Sequence, residues 1–221
     1  MKQLVIFDLD GTLLNTIADL GNAANHALER AGLPLHPITA YPRFVGNGVR
    51  RLIERVLPEG LRTSEKVDEL LAYFKEYYDS HLHVDTVPYP GIPELLTELT
   101  RRDIKVAVAS NKYQSAVDRL IGHFFPDIPW AAVEGQKEGF PTKPDPSIVF
   151  EILSLVPTPK SEVLYVGDSG VDMETARRAC VDSVGVTWGF RPLEELLANH
   201  CLLYTSPSPR DISGSRMPSS A

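Results

Sequence analysis

Five short apolar runs are spaced along the chain: QLVIF (Gln3–Phe7), IKVAVA (Ile104–Ala109), WAAV (Trp130–Val133), VLYV (Val163–Val166) and SVGVT (Ser183–Thr187). Each is rich in strand formers, and the segment between one and the next has room for a helix. Continuously apolar strands alternating with helices predict a parallel sheet covered on both faces, that is, a doubly wound α/β domain. Ligands of such sheets sit beyond the carboxyl ends of the strands, so those ends are where chemistry is expected.

Between residues 15 and 87 the alternation stops and the period becomes helical. Ile17, Leu20, Ala24, Ala27 and Leu28 form one stripe, ended by Gly32 and Pro34. Val49 to Leu57 is a second helix. Val67, Leu70, Leu71, Phe74, Tyr77 and Tyr78 mark the buried face of a third, over Glu65 to Tyr78. The pattern predicts an inserted all-α module, residues 15–87, within an α/β core made of residues 1–14 and 88–200. Pro88, Pro90, Gly91 and Pro93 suit a stiff hinge at the return. From residue 201 on, Ser, Pro, Gly and Arg replace the apolar periodicity. There CLLYTSPSPRD resembles one reading frame of a transposon-type sequencing adapter, and RMPSSA the primer that follows it. Residues 201–221 are therefore expected to be a disordered, non-native tail, with the native chain cut near His200.

Composition narrows the function classes. The 221 residues are 43% hydrophobic and 23% charged, a globular profile. With 22 basic against 29 acidic residues the net charge is −7, which speaks against a nucleic-acid partner. Cys180 and Cys201 form no C-x-x-C pair, so no thiolate metal site is expected; Cys180 reads as a core residue. A reducing, cytoplasmic setting fits, and no apolar stretch is long enough to cross a bilayer.

The reactive side chains gather after the strands. F-D-L-D-G-T (Phe7–Thr12) places Asp8 and Asp10 just past the first one. Two acids so close need a positive charge beside them, which a hard cation such as Mg²⁺ would supply. D-x-D-G alone equally describes a turn with Asx hydrogen bonds to Gly11 and Thr12. V-G-D-S-G-V-D (Val166–Asp172) brings Asp168 to another strand end and Asp172 one helical turn further on. Ser110 and Asn111 end a third strand with groups that hydrogen-bond a phosphate oxygen. Lys143, in T-K-P-D-P, is a charge able to neutralise both a phosphoryl group and the acids. Singly, Ser110 reads as a helix cap, Lys143 as a solvated charge and Pro144–Pro146 as a helix start; His81 and His83 read as surface residues.

Together, D-L-D-G-T, S-N, K-P-D-P and G-D-S-x-x-x-D, with a helical insertion after the first, resemble the haloacid dehalogenase superfamily, and within it the phosphoglycolate phosphatase group. The resemblance covers residues 1 to about 200, with F-V-G-N-G-V-R-R-L (Phe44–Leu52) similar to the cap segment and W-G-F-R (Trp188–Arg191) a further shared feature. It implies a Rossmann-like core with a helical cap. It also implies a Mg²⁺-dependent phosphatase, monomer or homodimer, acting on a small phosphate ester. Asp8 would be the nucleophile and Asp10 the general acid and base. Asp8, the Asp10 carbonyl and Asp168 would hold Mg²⁺ with Asp172 in support. Ser110, Asn111, Lys143, Gly11 and Thr12 would bind the phosphoryl group. The superfamily's dehalogenases lack an acid at the place of Asp10, so its presence favours phosphoryl transfer. Gly46 and Gly48 would let the cap backbone approach the substrate, and Arg43, Arg50 or Arg51 would meet an anionic one. A phosphomutase, a pyrophosphatase or nucleotide phosphatase, and an inactive binding module of the same fold remain the alternatives.

Overall fold

In a computed structural model of the protein, residues 1–199 are described, together with the backbone of residues 203–205. The elements run β1 (Leu4–Phe7), β2 (Leu14–Asn15), α1 (Ile17–Arg30), α2 (Val49–Val56), α3 (Ser64–His81), β3 (Val87–Pro88), α4 (Ile92–Arg101), β4 (Lys105–Tyr113) and α5 (Gln114–Phe124). There follow β5 (Ala132–Gln136), α6 (Ser147–Leu155), β6 (Val163–Gly167), α7 (Gly170–Ala179), β7 (Asp182–Val186), α8 (Leu193–Ala198) and β8 (Leu203–Thr205).

Strand β1 is the middle of a parallel sheet in the order β5-β4-β1-β6-β7-β8. Its four residues are buried without alternation because both faces of the sheet are covered. The period of two then divides them: Val5 and Phe7 join the larger core shared with the helical module and α5, whereas Leu4 and Ile6 join a second core beneath α6 and α7.

The five anticipated strands are all present, with shifted ends. β4 continues past Ala109 to Tyr113 after a register shift, so Ser110 and Asn111 lie within a strand. β5 begins two residues later than the apolar run WAAV, and Trp130 instead packs edge-on to Phe125 at 6.1 Å. The segment 201–221, expected to be disordered, supplies Leu203–Thr205 as a sixth strand beside β7; the rest of that segment lies outside the described residues.

Helices α1, α2 and α3 pack on one another, α1 against α3 most extensively. The α1 stripe buries Leu20, Ala23, Ala24, Ala27 and Leu28, and α3 buries Val67, Leu70, Phe74 and Tyr78. A two-strand antiparallel pair, β2 with β3, carries the chain out of the sheet and back, and neither strand has a hydrophobic pattern long enough to read in the sequence. Buried Asp19 closes this crossing, its carboxylate accepting from the backbone N–H groups of Asp85 and Thr86 and from Thr86 Oγ1. Cys180 is not in the core. It is exposed at the C-cap of α7 in the left-handed conformation, φ 58°, where the helix stops and the side chain turns outward. Among the described residues, no helix is long and apolar enough to cross a membrane.

Candidate active site

The carboxyl ends of β1, β4 and β6 meet in one buried cluster. Asp8 leaves β1 with its backbone N–H still bonded to Val166 O, 2.8 Å away, which sets it beside the end of β6. Gly11, at φ +91°, packs so closely on Asp168 that a Cβ would overlap its carboxylate. Asp172 is the third residue of α7 and forms a capping box with Ser169. Its Oδ2 accepts from the Ser169 hydroxyl at 2.5 Å and backbone N–H at 3.2 Å, which leaves Oδ1 for the site.

Lys143 takes that oxygen. Its ammonium donates to Asp172 Oδ1 and Asp8 Oδ1, both at 2.7 Å, to Ala109 O at 3.0 Å and to the Tyr165 hydroxyl at 3.2 Å. The side chain is 2% exposed, so these partners replace water almost completely. The loop bearing it is held by Asn111, whose Oδ1 accepts from Lys143 N–H at 2.8 Å and whose Nδ2 donates to Lys143 O at 3.2 Å. Asn111, expected to bind phosphate, lines the cavity and also positions the lysine through its amide. Ser110 Oγ accepts from the backbone N–H of Lys112 at 3.2 Å.

One carboxylate oxygen from each of Asp8, Asp168 and Asp172 lies within 4.8 Å of the others. Burial, then the charge of Asp172, pushes Asp8 up to about 7 against the pull of Lys143. Burial, then Asp172 and Asp8, holds Asp168 well above the usual carboxylate range. Burial works to lower Lys143, but Asp172 and Asp8 outweigh it and hold the ammonium well above its ordinary value. One ammonium serving three buried acids is an incomplete balance. A hard, oxygen-seeking cation fits this donor set.

A second buried cation, Lys112, completes the site. Lys112 directly follows Ser110–Asn111, pairs with Asp10 Oδ1 at 3.1 Å, and lies 4.9 Å over the Tyr78 ring of α3. Thr16 Oγ1 donates to the same Asp10 oxygen at 2.6 Å, so Asp10 is held from two sides. In the sequence the one signal for Lys112 is its place immediately after S-N.

Gly46, Gly48, Val49, Leu52, Phe74 and Tyr78 of the helical module roof a cavity of about 50 Å³ over Asp8, Asp10, Ser110, Lys112 and Lys143. Gly46 and Gly48, expected to bring backbone near a substrate, line this cavity. Arg43, Arg50 and Arg51 do not line it: all three are exposed, Arg43 against the Phe44 ring at 4.9 Å, Arg50 paired with Asp68 and Arg51 with Glu54. They sit where water can solvate them, as long charged side chains on a helix start usually do. The guanidinium that does line the cavity is Arg191, from the loop after β7. Gly11 and Thr12 lie beneath the cavity without lining it; Thr12 is fully buried and its carbonyl accepts from Trp188 Nε1 at 3.1 Å.

Comparison with known proteins finds relatives over most of the chain. Residues 5–186 match the haloacid dehalogenase-like hydrolase family. The chain is 34% identical over 206 residues to the phosphoglycolate phosphatase of Pseudomonas putida, covering 88% of this chain and 74% of that one. It is 32% identical to that of Mesorhizobium japonicum, covering 86% and 84%. A crystal structure from Lactobacillus delbrueckii subsp. bulgaricus, assigned as a phosphoglycolate phosphatase, superposes with a TM-score of 0.90 at 31% identity over 96% of this chain and 97% of that one.

Proposed function

The chain belongs to the haloacid dehalogenase-like hydrolase family, as one of its phosphatases, and from that premise we propose that it hydrolyses phosphoglycolate through a phosphoryl group carried briefly on Asp8. The observation that carries this reading is the Lys143 ammonium, buried and 2.7 Å from both Asp8 and Asp172 under the roof of the cavity. Residues 15–87 act as a cap over a core of residues 1–14 and 88–200.

Lys143 takes up Asp8 Oδ1 and fixes the rotation of the carboxylate, so the remaining oxygen is the one that attacks phosphorus. As the P–O bond to the alcohol breaks, Asp10, protonated at the start, gives its proton to the departing alkoxide. Thr16 and Lys112 keep the Asp10 side chain from rotating away during that transfer. Asp10, now a carboxylate, takes a proton from water as the water attacks the aspartyl phosphate, which releases phosphate and restores Asp8. Mg²⁺, held by Asp8, the Asp10 carbonyl and Asp168, would supply charge neutralisation on the phosphoryl oxygens. Asp172 supports these ligands through Lys143, since both of its oxygens already accept hydrogen bonds. Ser110 Oγ and Lys143 Nζ serve the phosphoryl oxygens from the β4 side.

The shape of the cavity supports a small ester. Its roof of Val49, Leu52, Phe74 and Tyr78 closes down over Asp8 and Lys143, which suits a compact ester better than a nucleotide or the sugar phosphate of a mutase. Asp8, Asp10, Lys143 and Asp168 are all present, which speaks against an inactive binding module. The exposed free thiol of Cys180 fits a reducing, cytoplasmic setting.

The test is a phosphate-release screen with Mg²⁺ over phosphoglycolate, sugar phosphates, nucleotides and pyrophosphate, with Asp8→Asn alongside. Phosphoglycolate should give the highest kcat/KM, and Asp8→Asn should leave no turnover above background. A different preferred ester would overturn the substrate assignment; activity surviving in Asp8→Asn would overturn the nucleophile.

A further inference from the structure

The loop after β7 touches both halves of the site. At one end the Phe190 N–H donates to Asp168 Oδ2 at 2.6 Å. Gly189 packs so tightly beneath that a Cβ there would overlap the Asp168 side chain, so the loop has no slack at this point. At the other end Arg191 Nη2 donates to Val45 O, in the roof of the cavity, at 2.6 Å. Behind the guanidinium stands Glu195, 3.8 Å from Arg191 Nε; its other oxygen accepts from the Gly170 N–H at 2.9 Å, at the start of α7.

The roof loop is also held from its own side. Arg55 of α2 donates to Phe44 O at 2.9 Å and to Asn47 Oδ1 at 2.6 Å. Two guanidinium groups therefore converge on residues 44–47 with different tasks. Arg55 shapes the loop within the helical module, while Arg191 is the core residue that grips the loop once shaped. Across the cavity, Tyr113 Oη donates to Asp79 Oδ1 at 2.6 Å and Arg119 Nη1 to Asp79 O at 2.5 Å, near the C-terminal end of α3.

We propose that Arg191 is a positioning residue that seats the cap loop over the site, and that the Gly189–Arg191 segment ties this seating to the orientation of Asp168. The inference rests on the reading of residues 15–87 as a cap and of Asp168 as a metal ligand. A seated cap keeps Arg191, Phe190 and hence the Asp168 carboxylate in place; an unseated cap frees all three. Binding energy from the part of the substrate under the roof is thereby spent on completing the phosphoryl site.

The experiment reads cap position and metal binding separately from turnover. One spin label is placed on Cys180 and a second on Glu65→Cys, both exposed, in a Cys201→Ser background; pulsed-dipolar distances are then recorded with Mg²⁺ and inorganic phosphate for the parent, Arg191→Ala and Arg191→Lys. The parent should give one narrow distance. Arg191→Ala should add a second population, since loss of a charged hydrogen bond shifts an equilibrium by about ten- to a hundredfold. Arg191→Lys, with a point charge in place of a fork, should recover the parent distance in part. Calorimetric titration with Mg²⁺ should show severalfold weaker binding in Arg191→Ala, and KM for phosphoglycolate should rise about tenfold with a smaller change in kcat. An unchanged distance in Arg191→Ala would overturn the seating role, and unchanged Mg²⁺ affinity would overturn the tie to Asp168. Should phosphoglycolate prove not to be the substrate, the distance and Mg²⁺ readings still decide the role of Arg191.

Discussion

Replacing Lys143 by Met tests whether the acid cluster depends on one ammonium. Met has nearly the length of the lysine stem but no charge, so Asp8 and Asp172 lose the donor they share, and Ala109 O and the Tyr165 hydroxyl lose a partner. Breaking a buried ion pair by removing one member costs about 3–5 kcal/mol. The unpaired carbonyl and hydroxyl add to this, but not in full, because all four partners belong to one network. A loss of about 4 kcal/mol is expected, a large part of the total of about 5–15 kcal/mol that holds a domain of this kind together. With an m-value of about 2–3 kcal/mol per molar, the urea midpoint measured with EDTA should fall by about 1.3–2 M. Adding Asp172→Asn to Lys143→Met should restore part of the loss, because it removes one of the stranded charges. A shift below about 0.4 M in the single variant, or no recovery in the double, would refute the reasoning and show that water or protonation already compensates these acids.

Two further predictions concern protons. With EDTA present, stability should fall as pH rises from the ordinary carboxylate range to about 7, because burial and Asp172 raise Asp8 in the folded state and the folded protein therefore binds more protons than the unfolded one over that window. Thermal melts across this range should show the fall, and saturating Mg²⁺ should remove or reverse it; a metal-free protein that grows more stable with rising pH would contradict the assignment. Lys112→Met should lower kcat for an alkyl phosphate roughly tenfold by freeing Asp10, but lower it much less for p-nitrophenyl phosphate, whose leaving group needs no proton. Equal losses on the two esters would show that Lys112 acts elsewhere.

Much of the site could be read in one dimension. Asp8 and Asp168 follow short apolar runs, and since a strand buried on both faces is apolar throughout, the acid that breaks the run marks the sheet's carboxyl edge; Ser110 breaks its run in the same way, but at the register shift inside β4. The three stripes of the module were equally plain, because each helix buries one face. The strands β2 and β3 could not be seen, since two residues carry no period.

What the sequence determined by itself was therefore a parallel sheet, an inserted helical module and a set of acids and a lysine at strand ends, all consequences of local pattern. Only the tertiary structure decided the partners. It turned the Asn111 amide onto the Lys143 backbone, set Lys112 beside Asp10, left Arg43 in solvent and brought Arg191 from the far end of the chain to the roof of the cavity. Hydrophobic period records whether a side chain is buried, but a hydrogen bond or ion pair between residues more than a hundred positions apart, such as Arg191 and Val45, leaves no period at all.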